Sequence, residues 1–213
     1  MDKEIDKVSS VPLSRRKPSR FEAEHQYYKL RDAVTEFMLL DFGFSQEKYA
    51  RKIERYRATH CGVENVDEVV ARFKKKSDAF YDWYIDKECN AILKILQDIE
   101  AEFTFGNSIY PSETAAKLFE FIERRKHINA AIANCYILRQ ELQDIVRILP
   151  VDFNKCTRFT EAIDKQIALF KGVRQADNRF LRTKKRNELT NDIIQILNGI
   201  ISVVSQMENR VTD

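Results

Sequence analysis

The residues with the most obvious chemical potential are carboxylates that could hold a metal ion. Asp41-Phe42-Gly43 has the sequence of the magnesium-binding tripeptide of protein kinases. A kinase also needs a glycine-rich loop, a strand lysine and a His-Arg-Asp catalytic loop upstream of that aspartate. None of these motifs is present in the stretch that precedes Asp41. We therefore do not interpret Asp41 as a kinase metal ligand, and predict that Gly43 ends a helix in the left-handed conformation.

The other potential metal ligands form incomplete sets. Asp82 and Asp86 share a helix face, but carboxylate di-metal bundles need Glu-x-x-His pairs on two helices, which the three histidines do not supply. The four cysteines have no Cys-x-x-Cys spacing, so we expect reduced thiols, and His60-Cys61 is the only place where a zinc site is conceivable. The sequence thus predicts no enzyme, metal, cofactor or small-molecule substrate.

Basic clusters are the remaining feature that could bind a ligand. Several cations on one surface bind phosphates by releasing counterions. The densest cluster is expected to contact nucleic acid, aided by a second cluster on another helix. Its residues are Arg179, Arg182, Lys184, Lys185 and Arg186, and the assisting residues are Arg124, Arg125 and Lys126. Lys74-Lys75-Lys76 has nearby acids that offset it, and a solvated helix face remains the alternative for every cluster.

Composition limits the compartment and the long-range field. The formal net charge is only +3, so steering toward nucleic acid must come from local clusters. No apolar run is long enough to span a bilayer, and the first residues, MDKEIDK, have no hydrophobic signal segment. We expect a cytoplasmic protein that does not bind membranes.

The elements that must position these clusters are helices. Five glycines and four prolines leave few turns, and apolar residues recur with a helical period. We predict an all-α protein, an elongated antiparallel bundle with an N-terminal helical extension and a C-terminal amphipathic helix. The predicted segments are a flexible basic arm at 1–20, the extension at 21–79, a four-helix-bundle-like core at 80–180, and a basic linker with the last helix at 181–213.

Apolar stripes and capping signals set the helix boundaries. Helices are predicted at about 22–41, 45–58, 66–103, 112–149, 154–180 and 187–209, with the third one continuous or split in two. Asn65 is predicted to cap the third helix, with Glu68 completing a capping box, and Gly106-Asn107 to end it in a turn. The fourth should begin at Ser112 and stop at Pro150. The predicted core includes Ile92, Leu96, Ile132, Leu138 and Ile163.

Three segments of this region, within about 80–180, resemble a known family. They are FTFGNSI at 103–109, ERRKHINAAIANCYILRQEL at 123–142 and IDKQIALFKGVRQ at 163–175. In order and spacing they are similar to segments of the accessory variability determinant proteins of diversity-generating retroelements. The resemblance implies a non-enzymatic four-helix bundle that assembles into a ring, a pentamer in the family. It also implies binding to a reverse transcriptase and its template RNA through basic surface residues.

Two functions are consistent with these observations. The first is an oligomeric accessory protein of a phage or mobile element that binds RNA or DNA, a reverse transcriptase, or both. The alternative is a helical structural or assembly protein of a phage virion, without nucleic-acid binding. Long apolar stripes that one copy cannot cover would favour a homo-oligomer in both cases.

Overall fold

The computed structural model describes residues 20–110, 117–154 and 157–177, and this part of the chain is all-α, as predicted. The helices are α1 (Arg20–Leu39), α2 (Gln46–Thr59), α3 (Val66–Ser108), α4 (Lys117–Ile148) and α5 (157–177), with a 3-10 turn at Asp41–Gly43 after α1. Within the described ranges the strand-type pairing is limited to one antiparallel bridge, between Phe44 and Val151. None of the helices described is long and apolar enough to cross a membrane.

Two compact units divide the chain, Met1–Val173 and Arg174–Asp213. All of the packing described below lies in the first unit. The predicted basic arm before residue 20 and the predicted helix at 187–209 lie outside the described residues.

Four helices, α1, α3, α4 and α5, form an antiparallel bundle around one core. The Tyr27 hydroxyl of α1 donates to the Leu96 carbonyl of α3, and Phe44, just beyond α1, packs on Tyr81 in the N-terminal half of α3. The α3–α4 pair is a hairpin in which Gly106 faces Ile128. Helix α2 lies outside the four and packs on the N-terminal part of α3.

Helix α5 closes the bundle between α4 and α1. Arg139 of α4 donates to Asp164 at 2.8 Å, and the buried Gln166 amide donates to the Ala23 carbonyl of α1 at 3.0 Å. Because α1 lies in the predicted N-terminal extension, the bundle takes one of its four helices from outside the predicted core segment. The extension and the core therefore share a single hydrophobic interior.

Helix α3 is continuous through 43 residues, about 64 Å, so the predicted third helix is one helix. On its buried side, Ile92, Leu96, Ile99 and Phe103 lie in the bundle core. The five predicted core residues are all buried: Ile92, Leu96, Leu138 and Ile163 are fully enclosed, and Ile132 nearly so. The long stripes are thus covered within a single copy of the chain.

The predicted turn at Gly106-Asn107 is wrong, because α3 continues to Ser108. Gly106 is buried where α4 crosses close to α3, and a Cβ placed there would lie 2.9 Å from Ile128 Cδ1. The glycine serves close helix packing at this position. The predicted role of Ser112 as a cap lies outside the described residues.

The predicted capping box before α3 is also wrong in its chemistry. Asn65 occupies the N-cap position, but its φ of 61° is left-handed and its side chain makes no capping hydrogen bond. The Glu68 amide bonds instead to the Asn65 carbonyl at 3.0 Å, so the backbone closes the first turn. Asparagine tolerates this conformation better than most residues.

The segment Asp41-Phe42-Gly43 forms a tight left-handed turn. Its φ angles are 49°, 56° and 73°, and the Gly43 amide donates to the Leu40 carbonyl at 2.7 Å. The left-handed Gly43 was predicted, although the α-helix itself ends earlier, at Leu39. Phe42 is fully buried, with its ring edge-on to Phe37 at 5.7 Å. The tripeptide therefore anchors the bundle.

Candidate nucleic-acid interface

Of the predicted assisting residues, Arg124 does not belong to an accessible surface. Its side chain is 1% exposed, and Nη1 donates to the Ile109 carbonyl at 3.0 Å beyond the end of α3. The apolar spacing of the sequence predicts an α4 stripe that contains Phe121, Ile122 and Ile128 and is interrupted only at Arg125. In the structure Phe121, Arg124 and Ile128 face the core and Ile122 is 55% exposed. The burial of Arg124 does not fit a surface contact, because near this residue the buried face of α4 runs through Phe121 and Arg124 instead of Ile122 and Arg125. The nucleic-acid role of Arg124 stays a prediction.

The neighbouring cations Arg125 and Lys126 are exposed, as predicted, but Lys126 is engaged. Its Nζ lies 3.0 Å from Glu123 Oε1. His127 contacts the same glutamate at 3.4 Å and Glu102 at 2.7 Å. The Lys126 hydrogen bond holds the pKa of Glu123 below its usual value. Carboxylates thus offset much of the positive charge at this end of α4.

The principal predicted cluster, Arg179, Arg182, Lys184, Lys185 and Arg186, lies outside the described residues. Its role stays a prediction.

A second group of cations, which sequence reasoning did not single out, lies on α2. Lys48, Arg51, Lys52 and Arg55 recur at intervals of three and four residues, so they share one helix face. They line a surface cleft of about 410 Å³ together with Pro150. With Lys76 of α3, these four residues are here called the basic face. Their helical spacing was the available sequence signal, but Tyr49, Ala50, Ile53 and Glu54 separate them, so they do not form a contiguous basic run.

Several contacts fix α2 so that this face points away from the core. Ser45 caps the helix by accepting a hydrogen bond from the Lys48 amide at 3.3 Å, and its own amide donates to the Pro150 carbonyl at 2.9 Å. The Lys48 ammonium donates to the Val151 carbonyl at 2.9 Å. Tyr49, on the opposite side of α2, is buried against Tyr81. The chain that leaves α4 thereby positions the start of α2.

A second cleft, of about 440 Å³, adjoins the first through Lys52. Phe73, Lys76, Phe80 and Ile148 also line it. The Phe73 ring stacks on Tyr56 with centroids 3.8 Å apart, so the two helices present aromatic surface beside the cations. Lys52 Nζ donates to the Tyr81 hydroxyl at 2.6 Å, a neutral partner that leaves its charge uncompensated.

The ion pairs of the basic face are few. Lys52, Arg55 and Lys76 have no carboxylate partner within the described ranges, whereas Arg51 pairs with Glu47 and Lys48 lies 3.9 Å from Asp152. Lys74, in the same run as Lys76, is engaged by Asp78 at 2.8 Å. Three exposed cations can therefore meet phosphates without first breaking an ion pair.

The other side of α2 has the opposite character. A cleft of about 570 Å³ there is lined by Asp41, Glu54, Asp78 and Asp82 as well as by Lys74. The Tyr49 hydroxyl donates to Asp78 at 2.5 Å. Hydrogen bonds from Lys74 and then Tyr49 lower the pKa of Asp78, and burial followed by the Asp78 hydrogen bond raises that of Tyr49. The cleft on one side of α2 is thus basic, and the cleft on the other side is mostly acidic.

A pair of glutamates, Glu88 and Glu141, bridges α3 and α4. Glu88 is 2% exposed and pairs with Lys87 at 3.0 Å. Burial, followed by the negative charges of Glu88 and Asp144, raises the pKa of Glu141. Burial likewise raises the pKa of nearby Tyr84 to about 12. The Glu88–Glu141 contact therefore belongs to the interface between α3 and α4.

The potential metal ligands do not converge in the part of the chain that the structure describes, where no group of three or more suitable side chains could hold an ion. His60 Nδ1 lies 2.8 Å from the Tyr56 carbonyl, and Cys61 is an exposed free thiol. Asp82 and Asp86 are exposed on α3. Burial raises the pKa of the Cys135 thiol to about 12, which makes it a poor nucleophile.

Comparisons of the chain with protein-family models, with curated proteins and with solved structures gave no match.

Proposed function

We propose that the protein is a non-enzymatic accessory protein that binds nucleic acid, with the basic face on α2 and α3 contributing phosphate contacts. One observation carries the proposal: Lys52, Arg55 and Lys76 are exposed around adjoining clefts and have no carboxylate partner within the described residues. Such cations bind phosphate by counterion release at little cost.

The composition of the basic face suits backbone contact. Arginine can grip a phosphate with two hydrogen bonds, and lysine acts as a mobile point charge. Because these contacts carry no base code, the expected ligand is nucleic acid of many sequences. A reverse transcriptase as protein partner, a homo-oligomer and a mobile-element context are further parts of the proposal, and they rest on the resemblance described above.

The test compares two neutralised variants of the full chain. The first replaces Lys52, Arg55 and Lys76 by alanine, and the second replaces Arg182, Lys184, Lys185 and Arg186 by alanine. Each lost phosphate contact should flatten the plot of log affinity against log salt by about 0.7 to 0.9. The first variant should therefore lose up to about three contacts, measured by fluorescence anisotropy with RNA of several unrelated sequences, and circular dichroism checks that it stays helical.

The second variant tests the segment outside the described residues on the same scale, with a loss of up to about four contacts expected. If both variants keep the affinity and salt slope of the original chain, the nucleic-acid proposal fails. A loss of RNA affinity in the second variant alone would assign RNA binding to the segment around Arg182–Arg186 and remove the basic face from the proposal.

A second candidate, a helical structural or assembly protein, is favoured by a different observation. Several large apolar side chains are exposed on the described surface: Leu39 at 80%, Leu40 at 62%, Phe119 at 75% and Phe153 at 68%. Exposed apolar side chains mark a protein contact when they form a contiguous patch, and this candidate requires such a patch. Failure of both neutralised variants to change RNA binding would make this candidate the first choice.

A further inference from the structure

The chain has one tryptophan, Trp83, and it lies on the surface. Its side chain is 57% exposed, and the neighbouring Phe80 is 44% exposed, with ring centroids 5.9 Å apart. Helix α3 has a full apolar stripe on its buried side, so these two rings are not needed to fill the core. Large aromatic residues held at a surface are typical of binding sites.

Cations flank the two rings along α3. Lys76, Phe80, Trp83 and Lys87 follow intervals of four, three and four residues, which places them in one line over about 16 Å of helix. Lys76 has no carboxylate partner within the described ranges, and Lys87 Nζ lies 5.9 Å from the Trp83 ring centroid while it pairs with Glu88. The order is cation, ring, ring, cation.

The aromatic surface continues from this line toward α2. Phe80 shares a cleft with Phe73, Lys52 and Lys76. Phe73 stacks on Tyr56. The rings therefore lie beside the cations of the basic face, and a strand whose phosphates contact Lys52 and Lys76 would have bases within reach of Phe80.

We infer that the Phe80–Trp83 surface stacks on the unpaired bases of a single-stranded nucleic acid whose phosphates the basic face holds. This inference rests on the proposed function and names its ligand class. Single strands are bound by positively charged grooves that carry aromatic stacking platforms, and each stacked base contributes about 1 to 3 kcal/mol. A duplex hides its base faces within the helix, so it can use the cations alone.

Trp83 also supplies the measurement, because its emission reports stacking at this position without a label. The probes are poly(U), a duplex of poly(A) and poly(U), and heparin, a polyanion without bases. Poly(U) should quench Trp83 emission strongly and saturably, and the duplex and heparin should leave it nearly unchanged. Trp83→Leu should weaken poly(U) binding about 5- to 150-fold, the range that corresponds to loss of one stacked base.

The control variant is Phe119→Leu, which removes an aromatic residue at the start of α4 that is 75% exposed. It should bind poly(U) like the original chain, and Trp83→Leu should bind heparin like the original chain. Circular dichroism checks that both variants stay helical, and quenching of the unmodified protein is independent of any variant.

The outcomes separate failure of the proposed function from failure of the stacking inference. If none of the three polyanions binds in a salt-dependent way, the proposed function and the stacking inference both fail. If all three bind with equal affinity and Trp83 emission stays constant, the proposed function stands and the stacking inference is overturned. Equal losses in Trp83→Leu and Phe119→Leu would overturn it as well.

Discussion

The two ends of the α3–α4 hairpin both carry basic clusters, but their cations are in opposite situations. At the turn end, Arg124 is buried against the Ile109 carbonyl and Lys126 pairs with Glu123. At the α2 end, Lys52 and Lys76 are exposed, with no carboxylate partner within the described residues. Ile148, which lines the cleft at the α2 end, is 24 residues from Arg124, so about 36 Å of α4 separates the two situations.

This contrast shows that a run of basic residues does not identify a phosphate site by itself. A cation that already has a carboxylate or carbonyl partner must give up that contact before it binds a ligand. The lost contact offsets part of the free energy of ligand binding. A cation surrounded by water and rings has only its hydration and weakly held counterions to lose. The partners therefore decide which cluster is available.

The largest expected effect concerns the buried cation at the turn end. Arg124→Ala should lower the free energy of unfolding by about 3 kcal/mol, because it removes buried packing and the hydrogen bond to the Ile109 carbonyl. Chemical denaturation measures this, with Arg125→Ala as the exposed neighbour that should change stability by less than about 0.5 kcal/mol. Weaker RNA binding by Arg124→Ala at unchanged stability would contradict the structural role.

Charge reversal at each end should sharpen the contrast. Lys52→Glu with Lys76→Glu is expected to lower RNA affinity on the order of 100-fold near 0.05 M salt, since two phosphate contacts are lost and repulsion is added. Arg125→Glu with Lys126→Glu makes the same change of net charge at the turn end and should lower affinity much less. Equal losses in the two variants would show that total charge, rather than partner geometry, controls binding.

The smallest effects concern two glutamates of α4, Glu123 near its start and Glu141 near its end, whose pKa values shift in opposite directions. Burial and then Glu88 raise the pKa of Glu141, so its ionisation costs stability as the pH rises through the folded-state pKa. Glu141→Gln should stabilise the protein by less than about 1 kcal/mol at neutral pH, and by less as the pH falls.

Glu123→Gln is the matched change at the turn end and should have the opposite sign. The Lys126 hydrogen bond lowers the pKa of Glu123, so its contribution is present above the unfolded-state pKa and is lost as the pH falls through the folded-state value. Thermal melts at neutral and acidic pH compare the two variants. The same sign of change in both would contradict the assigned environments.

The helices were predictable because periodic apolar residues reveal which elements bury a face. Ile92, Leu96 and Leu138 could be placed in the core from spacing alone. The phase of α4 near Arg124 could not, since a long side chain with a polar tip can satisfy that tip at a carbonyl from another element. Gly106 was misread for a similar reason, because the local sequence does not show that α4 crosses there.

The candidate site was less predictable than the fold. The cations of α2 follow a helical spacing that can be read from the sequence, yet their availability depends on Pro150 and Val151, which are about a hundred residues away in the chain. The sequence predicts that the acids near Lys74 to Lys76 offset the whole run. In the structure Asp78 engages Lys74 and leaves Lys76 without a carboxylate partner in the described part of the chain.

The left-handed turn at Asp41-Phe42-Gly43 has a consequence for the order in which the protein can be assembled during synthesis. Two of its residues are not glycine, and each costs on the order of 1 kcal/mol in this conformation. The contacts that compensate are remote: Phe42 needs the bundle interior, and Ser45 needs the Pro150 carbonyl. A nascent chain that ends before residue 150 lacks the Pro150 carbonyl that accepts from Ser45. We therefore expect this turn to dock fully only after residue 150 has left the ribosome, whereas α1 and α2 can contact α3 earlier.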